Sequence, residues 1–203
     1  MSPKALTGII AVGLVLIIGL VLLFSGISTY NKMVGLDEGV TEKWSQVEND
    51  YQRRADLIPN LVKTVRSYAE YEQETLTEVV EARAKATSVT VDPTNLNAQS
   101  IQQFQAAQDG LTSALSKLLV VVEKYPDLKA NQNYMDLQRQ LEGTENRISN
   151  ARRKFNEDTR DYNTYIRRFW PRLIAGWFGF EQKTYFEANE GAEEAPDVGD
   201  YLD

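Results

Sequence analysis

The chain has 203 residues, with 22 Lys and Arg against 29 Asp and Glu, and contains neither cysteine nor histidine. Disulfides, thiol chemistry, Cys/His zinc sites and histidine-based nucleophiles or general bases are therefore excluded. Seven acids lie in residues 187–203, a stretch without Lys or Arg, which leaves 22 acids to balance the 22 basic residues. A neutral body argues against a nucleic-acid partner, because such binding needs a basic surface.

Residues 5–24, ALTGIIAVGLVLIIGLVLLF, contain no charged side chain. A helix of about 20 residues, rising about 1.5 Å per residue, crosses a hydrocarbon layer about 30 Å thick. The alternative is a secretory signal peptide, whose apolar region of about 7–15 residues precedes a small-x-small cleavage site. The sequence FSGIS offers only a weak site of that kind, so we predict an uncleaved transmembrane anchor within residues 1–28.

The next segment, residues 29–87, is predicted to be one long amphipathic helix. Its apolar residues recur at alternating spacings of three and four, which places them on one face. They are Val40, Trp44, Val47, Tyr51, Ala55, Ile58, Val62, Val65, Ala69, Leu76 and Val79. Glu72 and Arg83 fall on the same face. The helix is predicted to end in residues 87–97, where β-branched residues, Asp-Pro and two Asn favour a loop.

Two further helices are predicted, over about 95–125 and from Tyr134 to Pro171, and no segment alternates with the period of a strand. The fold class is therefore all-α: an N-terminal transmembrane helix followed by an antiparallel helical bundle with long helices, over residues 29–186. Residues 187–203 are predicted to be an acidic, disordered tail, because they lack the apolar content to form a core.

The helix lengths indicate an uncovered apolar surface. The first water-facing helix measures about 90 Å, whereas the second and third measure about 45 and 55 Å. Four apolar residues near the membrane are therefore expected to lack a partner within the chain. They are Val40, Trp44, Val47 and Tyr51, named here the membrane-proximal stripe. Exposed apolar surface of this kind indicates interaction, so the stripe predicts a homo-oligomer interface, unless the chain folds back or its C-terminal aromatic segment shields the stripe.

Pro59 stands in the middle of the first predicted helix. Proline removes a backbone donor at a cost of about 3 kcal/mol, and sharp kinks in long helices occur mostly at proline. We interpret Pro59 as a bend between a membrane-proximal stalk and the bundle; a gentle kink without functional content is the alternative. Arg53 and Arg54 precede the bend and, with Glu48 and Asp50, are interpreted as a solvated or ion-paired face.

Charged residues on apolar helix faces predict polar contacts between the helices. Glu145 and Arg152 share the apolar face of the third helix, and Glu72 and Arg83 interrupt that of the first. We predict that these four residues form a polar network that fixes the register of the helices. The alternative is a set of surface ion pairs, each worth under about 1 kcal/mol.

The stretch WPRLIAGWFGFEQKTYF, residues 170–186, concentrates aromatic side chains around two glycines and is predicted to form a short helix or hook. Its aromatic hook residues are Trp170, Trp177, Phe178 and Phe180. Two interpretations stay open: core packing at the end of the bundle, and contact with lipid headgroups or a protein partner, where amphipathic aromatic side chains are favoured. Arg167, Arg168 and Arg172 favour an anionic surface.

An ordered series of motifs resembles the LemA family of bacterial membrane proteins. The motifs are WSQVE (44–48), YQRRADLIPNL (51–61), EARA (81–84), YPDLKAN (125–131), LEGTENRI (141–148) and FGF (178–180). The similarity runs from about Tyr30 to Phe186, and the tail is expected to lie beyond the family core. The resemblance implies one membrane helix and an antiparallel bundle, with no assigned catalytic activity. One branch includes a magnetosome-associated protein, and other members are associated with membrane proteases or envelope stress.

Catalysis without His or Cys would need a Ser/Lys pair or paired carboxylates. Ser113, Ser116 and Lys117 are neighbours, but no Gly-rich elbow accompanies them, and metal-binding bundles use Glu-x-x-His motifs. We predict no enzymatic activity, catalytic residue, metal or cofactor. We expect a single-pass scaffold or adaptor of the bacterial inner membrane that self-assembles through its helices. The alternative is a monomeric regulatory partner of a membrane protease or transporter in envelope stress.

The expected partners are the lipid bilayer, further copies of the chain and another membrane protein. Charges flanking the anchor are few: Lys4 and the α-amine precede it, and Lys32 and Lys43 follow among acids, which contribute little to orientation. From this balance we expect the N-terminus inside and the bundle outside the cytoplasm.

Overall fold

A computed structural model of the protein describes residues 3–187, with side chains from residue 12 onwards. Within this range the protein is built from helices. The helices are α1 (Pro3–Arg66), α2 (Gln73–Ser88), α3 (Ala98–Val122), α4 (Pro126–Lys129), α5 (Gln132–Ile166) and α6 (Phe169–Phe178). Since no strand occurs in this range, the all-α prediction is confirmed. Apart from Glu187, the predicted acidic tail lies outside the described residues, and its disorder stays a prediction.

α1 contains the predicted membrane anchor and continues without interruption into the bundle. Most side chains from Val12 to Ile27 are apolar and exposed, and only 6% of the most apolar 18-residue window is buried inside the protein. A core helix of a water-soluble protein would be mostly buried. By length and composition, α1 is therefore able to cross a bilayer, and its water-facing part belongs to the same helix.

The first predicted water-facing helix is divided in the structure. α1 ends at Arg66, and a turn over residues 67–72 leads into α2. The amides of Tyr68 and Ala69 both donate to the Val65 carbonyl, at 3.0 and 2.9 Å, which tightens and ends the helix. The apolar spacing continues through the turn because Ala69 is buried there and α2 packs into the same core. Periodicity alone therefore gave no sign of this reversal.

The four long helices of the bundle alternate in direction. α2 returns along the distal part of α1, α3 runs outward again, and α5 returns along nearly the whole water-facing part of α1. The lengths agree, since α5 measures about 52 Å and the part of α1 over residues 29–66 about 57 Å. α5 is therefore the helix that reaches the membrane-proximal part of α1.

Two apolar clusters form the core. The membrane-proximal cluster is built around Trp44, whose ring centroid lies 5.2 Å from that of Phe104 and 5.5 Å from that of Phe155. The distal cluster joins α1 beyond Ile58 to α2, α3, α4 and the start of α5. Both clusters belong to one bundle, and α1 runs through both.

Pro59 lies inside α1, and the helix continues through it to Arg66. The predicted division into a stalk and a bundle at Pro59 is wrong, because core residues before and after it pack in the same bundle. Proline lacks the amide that would donate to the carbonyl four residues earlier, which is that of Ala55. Arg83 of α2 donates its Nε–H to this carbonyl at 2.7 Å. Pro59 thus leaves an acceptor open on α1, and a cation from the neighbouring helix binds it.

This arrangement predicts that Pro59 and Arg83 are energetically coupled. In the parent chain, Arg83→Ala leaves the Ala55 carbonyl without its charged donor, and we expect a loss of about 1.5–3 kcal/mol in the free energy of unfolding. In a Pro59→Ala background the new amide can donate to the same carbonyl, so Arg83→Ala should cost less than about 1 kcal/mol. Urea unfolding of the four detergent-solubilised variants, followed by circular dichroism, measures the difference. Equal costs in both backgrounds would contradict the coupling.

Candidate functional site

The membrane-proximal stripe is buried inside the chain. The exposed fraction of Val40, Trp44 and Val47 is 0%, and that of Tyr51 is 4%. The expectation that these residues lack an intrachain partner is wrong, because α5 and the start of α3 reach them. The alternative of shielding by the C-terminal aromatic segment holds, since the segment after α6 covers them. In this folded state the stripe offers no surface to a second copy.

Residues 180–187, named here the C-terminal strap, provide much of this cover. The ring of Phe186 stacks on that of Trp44, with centroids 5.7 Å apart and 14° between the planes. Asn156 and Asn163 of α5 hold the strap backbone: each side-chain amide donates to a strap carbonyl and accepts from the amide of the same strap residue. The pairs are Asn156 with Phe186, at 3.0 and 2.9 Å, and Asn163 with Lys183, at 2.8 and 2.9 Å.

The spacing of the two asparagines fits the strap. Seven helical residues rise about 10 Å, and three extended residues span about 10 Å. Asn163 binds Lys183 and Asn156 binds Phe186, so the strap runs antiparallel to α5 with matching spacing. The side-chain amides of the two asparagines bind the strap backbone as the backbone of a neighbouring strand would. They satisfy backbone groups that would otherwise be buried without partners.

Further contacts hold the strap at both ends. The Lys183 ammonium is buried and pairs with Asp37 of α1 at 2.7 Å. The Tyr162 hydroxyl donates to the Glu181 carbonyl at 2.9 Å, and burial raises the pKa of Tyr162, which keeps the hydroxyl protonated as a donor. At the other end, the Glu187 carbonyl accepts from Arg152 at 2.8 Å. Glu187, assigned to the tail from the sequence, is therefore part of the folded strap.

A buried arginine links the four long helices. Arg54 of α1 is 1% exposed and donates to Glu145 of α5 at 2.7 Å and to Thr112 of α3 at 2.9 Å. Its second terminal nitrogen donates to the side chain of Gln108 at 2.8 Å. Gln108 in turn donates to the Ala86 carbonyl of α2 at 3.2 Å. These residues are named here the Arg54 cluster. Of the two interpretations of Arg54, as solvated or as ion-paired, the ion pair holds, but Arg54 lies in the core and not on an outer face.

The polar network predicted from the sequence is not one unit. Glu145 belongs to the Arg54 cluster, whereas Arg152 binds the strap. Glu72 accepts from the Tyr125 hydroxyl at 3.1 Å in the distal part, and Arg83 binds the α1 backbone. Each of the four residues does join separate elements, but through different partners.

The sequence did contain a signal for the Arg54 cluster. Arg54 lies three residues after Tyr51 and four before Ile58, which is the spacing of the apolar face. Gln108 lies between Phe104 and Leu111 at the same spacing in α3. Two polar residues at core positions on facing helices therefore predict a buried pair. Interpreting Arg54 from its charge, without its position, misses this pair.

The residues considered for catalysis do not form a site. Ser113 and Ser116 donate to carbonyls of their own helix, at 3.0 Å each, and Lys117 pairs with Glu78 at 2.9 Å. Within the part of the chain that the structure describes, no group of three or more acidic residues is placed to hold a metal ion.

The membrane-proximal end carries an open apolar groove of about 540 Å³ between α1 and α6. Its walls are Leu22, Leu23, Gly26, Ile27 and Tyr30 of α1 with Trp170, Leu173, Ile174, Trp177 and Phe178 of α6. α6 thus lies against the last turns of the apolar part of α1. If residues 5–24 occupy the hydrocarbon, residues 26–30 lie about 3–9 Å beyond it, at the depth of the headgroups.

The aromatic hook divides between the two interpretations. Trp170 and Phe180 are partly buried and pack against the membrane-proximal core. Trp177 is 87% exposed and Phe178 is 61% exposed, so these rings project from the bundle beside α1. Core packing therefore accounts for two of the four residues. Contact with lipid or with a partner stays a prediction for Trp177 and Phe178.

Basic side chains surround this end of the molecule. Lys32 of α1 and Arg168 lie over the ring of Tyr165, with the cations 5.0 and 5.6 Å from its centroid. Arg167 and Arg172 are exposed beside them. In the described residues none of these four cations forms an ion pair with a carboxylate. Aromatic and apolar side chains with an unpaired basic rim are typical of the surface of a lipid bilayer.

The fold and the membrane-proximal end define a class: a helical bundle whose central helix extends into a single apolar N-terminal segment, as in a single-pass membrane protein. A family model described as the LemA family matches residues 43–199, and the chain belongs to this family. The resemblance in the sequence motifs is thereby confirmed. The match includes most of residues 187–203, so the expectation that the tail lies beyond the family core is wrong.

Named relatives come from two groups of bacteria. The chain is 25% identical over 146 residues to "Protein LemA" of Metamycoplasma hominis, covering 72% of this chain and 63% of that protein. It is 28% identical over 177 residues to "Magnetosome protein MamQ" of Magnetospirillum gryphiswaldense, covering 77% of this chain and 64% of that protein. The chain thus spans less than two thirds of the length of these relatives.

The Arg54 cluster predicts a strong contrast between two adjacent arginines. Arg54→Ala should lower the free energy of unfolding by about 3 kcal/mol or more, because the acceptors of Thr112 and Gln108 on α3 and of Glu145 on α5 lose their donor. Arg53→Ala, the matched control on the exposed side, should cost under about 0.5 kcal/mol. Glu145→Gln keeps an acceptor for the buried Arg54 but removes its negative charge, so it should cost more than Arg53→Ala and less than Arg54→Ala. Urea unfolding in detergent measures all three; similar costs at positions 53 and 54 would refute the cluster's role.

Proposed function

We propose that this protein is a non-enzymatic, membrane-anchored adaptor, which holds a closed helical bundle at the bacterial inner membrane and binds other membrane proteins through it. The observation that carries this proposal is the single helix α1, which leaves the apolar segment and becomes the central helix of the bundle without a hinge. A continuous helix transmits orientation, so the bundle has a fixed direction relative to its anchor. Family membership and the relatives named above support membrane association and assign no catalysis.

We propose that the adaptor acts as a monomer, and we place self-assembly through the membrane-proximal stripe second. The buried stripe supports this order, since the strap already occupies the surface that a second copy would need. The magnetosome relative is named for an organelle, and the name states no mode of assembly. A regulatory partner of a membrane protease or transporter is the kind of adaptor that agrees with a closed bundle.

The proposal places the bundle outside the cytoplasm. Orientation is governed by basic residues close in sequence to the membrane helix, because they act during insertion. Lys4 directly precedes the apolar segment, whereas Lys32 and Lys43 lie 8 and 19 residues beyond its end. Arg167, Arg168 and Arg172 reach the membrane end only after folding, so they do not enter this balance.

The monomer proposal predicts how the stripe responds to charge. In lipid nanodiscs, the parent chain should give the mass of one copy per disc by mass photometry. Trp44→Glu with Val47→Glu should unfold the bundle, because each buried side chain contributes about 1.5–3 kcal/mol and a buried carboxylate costs more. Leu119→Glu with Val120→Glu, on the exposed side of α3, is the matched control and should stay folded. A parent assembly that the stripe variant converts into folded monomers would restore the scaffold interpretation.

The orientation proposal predicts the outcome of protease treatment. Tyr71, in the turn between α1 and α2, is 96% exposed and offers a cleavage site for chymotrypsin. In intact spheroplasts the chain should be cut at this turn, and Tyr71→Ala should delay the cut. Cleavage that requires lysis of the spheroplasts would place the bundle in the cytoplasm and overturn the orientation.

A further inference from the structure

We propose that α6 and the basic rim around it form a binding site for anionic phospholipids at the surface of the bilayer. The exposed apolar side chains of α6 would lie among the upper acyl chains, and Lys32, Arg167, Arg168 and Arg172 would bind headgroup phosphates. This goes beyond the adaptor proposal, since it assigns a ligand class to the membrane-proximal end whatever protein the bundle binds.

The first observation is the exposure of α6 in one direction. Phe169, Leu173 and Trp177 are four residues apart on one helix face, and they are 83%, 51% and 87% exposed. The opposite face, with Ile174 and Ala175, is buried in the core. α6 is therefore fixed to the bundle by one side and presents a large apolar side outward, which soluble monomers rarely do.

The second observation is the position of this exposed face. It adjoins the groove along α1 whose walls include Leu22, Leu23 and Ile27, at the end of the apolar segment. Amphipathic helices at membranes bury their apolar face about 5–10 Å into the boundary between headgroups and acyl chains. α6 is held at that boundary by the fold itself, so the occupant of its face is lipid, and the groove admits acyl chains beside α1.

The third observation is the charge around the face. The four cations described above lack carboxylate partners in the described part of the chain, whereas the nearby Asp37 is already neutralised by Lys183 at 2.7 Å. The exposed Glu181 is the acid that shares a cleft with Arg167, Arg168 and Arg172. The rim is therefore net positive, and its Arg side chains are suited to bidentate binding of phosphate.

The start of α6 adds to this positive potential. Its N-cap residue is Arg168, and no side chain accepts from the first amides of the helix. Helix N-termini favour anions, and here the free amides lie between Arg167 and Arg172. This feature supports the basic rim and is not needed for the proposal.

The test uses the full chain in nanodiscs of zwitterionic lipid with a fifth of anionic phosphatidylglycerol. Bromine atoms on the upper acyl chain, carried by one lipid class at a time, quench nearby tryptophan. The chain has three tryptophans, so the quenching due to Trp177 is taken as the difference between the parent and the Trp177→Phe variant. Because each basic residue near an anionic surface favours anionic lipid about fivefold, brominated phosphatidylglycerol should quench Trp177 several-fold more per mole than the brominated zwitterionic lipid, and added salt should weaken the preference.

Variants separate the two parts of the site. Arg167→Gln, Arg168→Gln and Arg172→Gln combined leave only Lys32 in the rim, so they should lower the preference for anionic lipid severalfold and leave quenching by zwitterionic lipid intact. Arg53→Gln, Arg66→Gln and Arg139→Gln, which remove the same charge from exposed positions away from α6, should retain the preference. If the first triple variant fails to fold, Arg172→Gln alone should still lower the preference, by at most about fivefold.

Two results would overturn the proposal. Equal quenching of Trp177 by both brominated lipids in the parent would mean that α6 contacts acyl chains without selecting a headgroup. Absence of quenching by either lipid would mean that the exposed face of α6 does not contact the bilayer and is available to bind a protein. The mass of the same discs reports the oligomeric state separately, so failure of the lipid site and failure of the monomeric adaptor are distinguished.

Discussion

A single helix that passes from an apolar segment into a water-facing bundle constrains everything that packs against it. In its first part α1 is apolar on all sides, because a helix in lipid has no polar face to present. In its second part the apolar residues narrow to a stripe, and this stripe must be covered along its whole length. α2 packs on the distal part, and α3 reaches the membrane-proximal part only with its first turns, through Ile101 and Phe104. The length of α5 and the existence of the strap both follow from this requirement.

The strap covers the membrane-proximal part of the stripe with an extended segment, which has no helical hydrogen bonds of its own. Its backbone groups would be costly to bury without partners. Asn156 and Asn163 satisfy them, Tyr162 and Arg152 satisfy two further carbonyls, and Phe186 fills the space over Trp44. Packing by an extended segment also leaves room beside α1 for α6, which brings its aromatic side chains to the end of the apolar segment.

Much of the fold follows from the sequence, since apolar residues at spacings of three and four are unambiguous over α1, α3 and α5. The turn over residues 67–72 could not be predicted from spacing, because Ala69 keeps the pattern while the chain reverses. Shielding of the stripe by the C-terminal aromatic segment was an open alternative, but spacing and helix length could not decide for it. The cover depends on Phe186, which lies far away in the sequence and in a segment without periodicity. The burial of Arg54 could have been predicted, because its spacing from Tyr51 and Ile58 is that of a core residue, although its charge suggests the surface.

The polar contacts between helices share a physical logic. Pro59 withdraws an amide from the α1 ladder, and the freed carbonyl receives Arg83 from α2. Gln108 uses both ends of its amide, accepting from Arg54 and donating to the Ala86 carbonyl. Each contact satisfies groups in one geometry only, so each excludes neighbouring registers in a bundle whose apolar faces alone would tolerate sliding.

The strap also sets the order in which the molecule is completed during translation. Roughly 140 residues separate Trp44 from Phe186, and at about 5–20 residues per second their synthesis takes roughly 7–30 s. During that interval the strap, which stacks Phe186 on Trp44, does not yet exist. A neighbouring nascent chain then presents the same stripe without its strap. We expect crowded synthesis on one messenger, rather than the finished fold, to be the situation in which copies of this protein meet through Trp44.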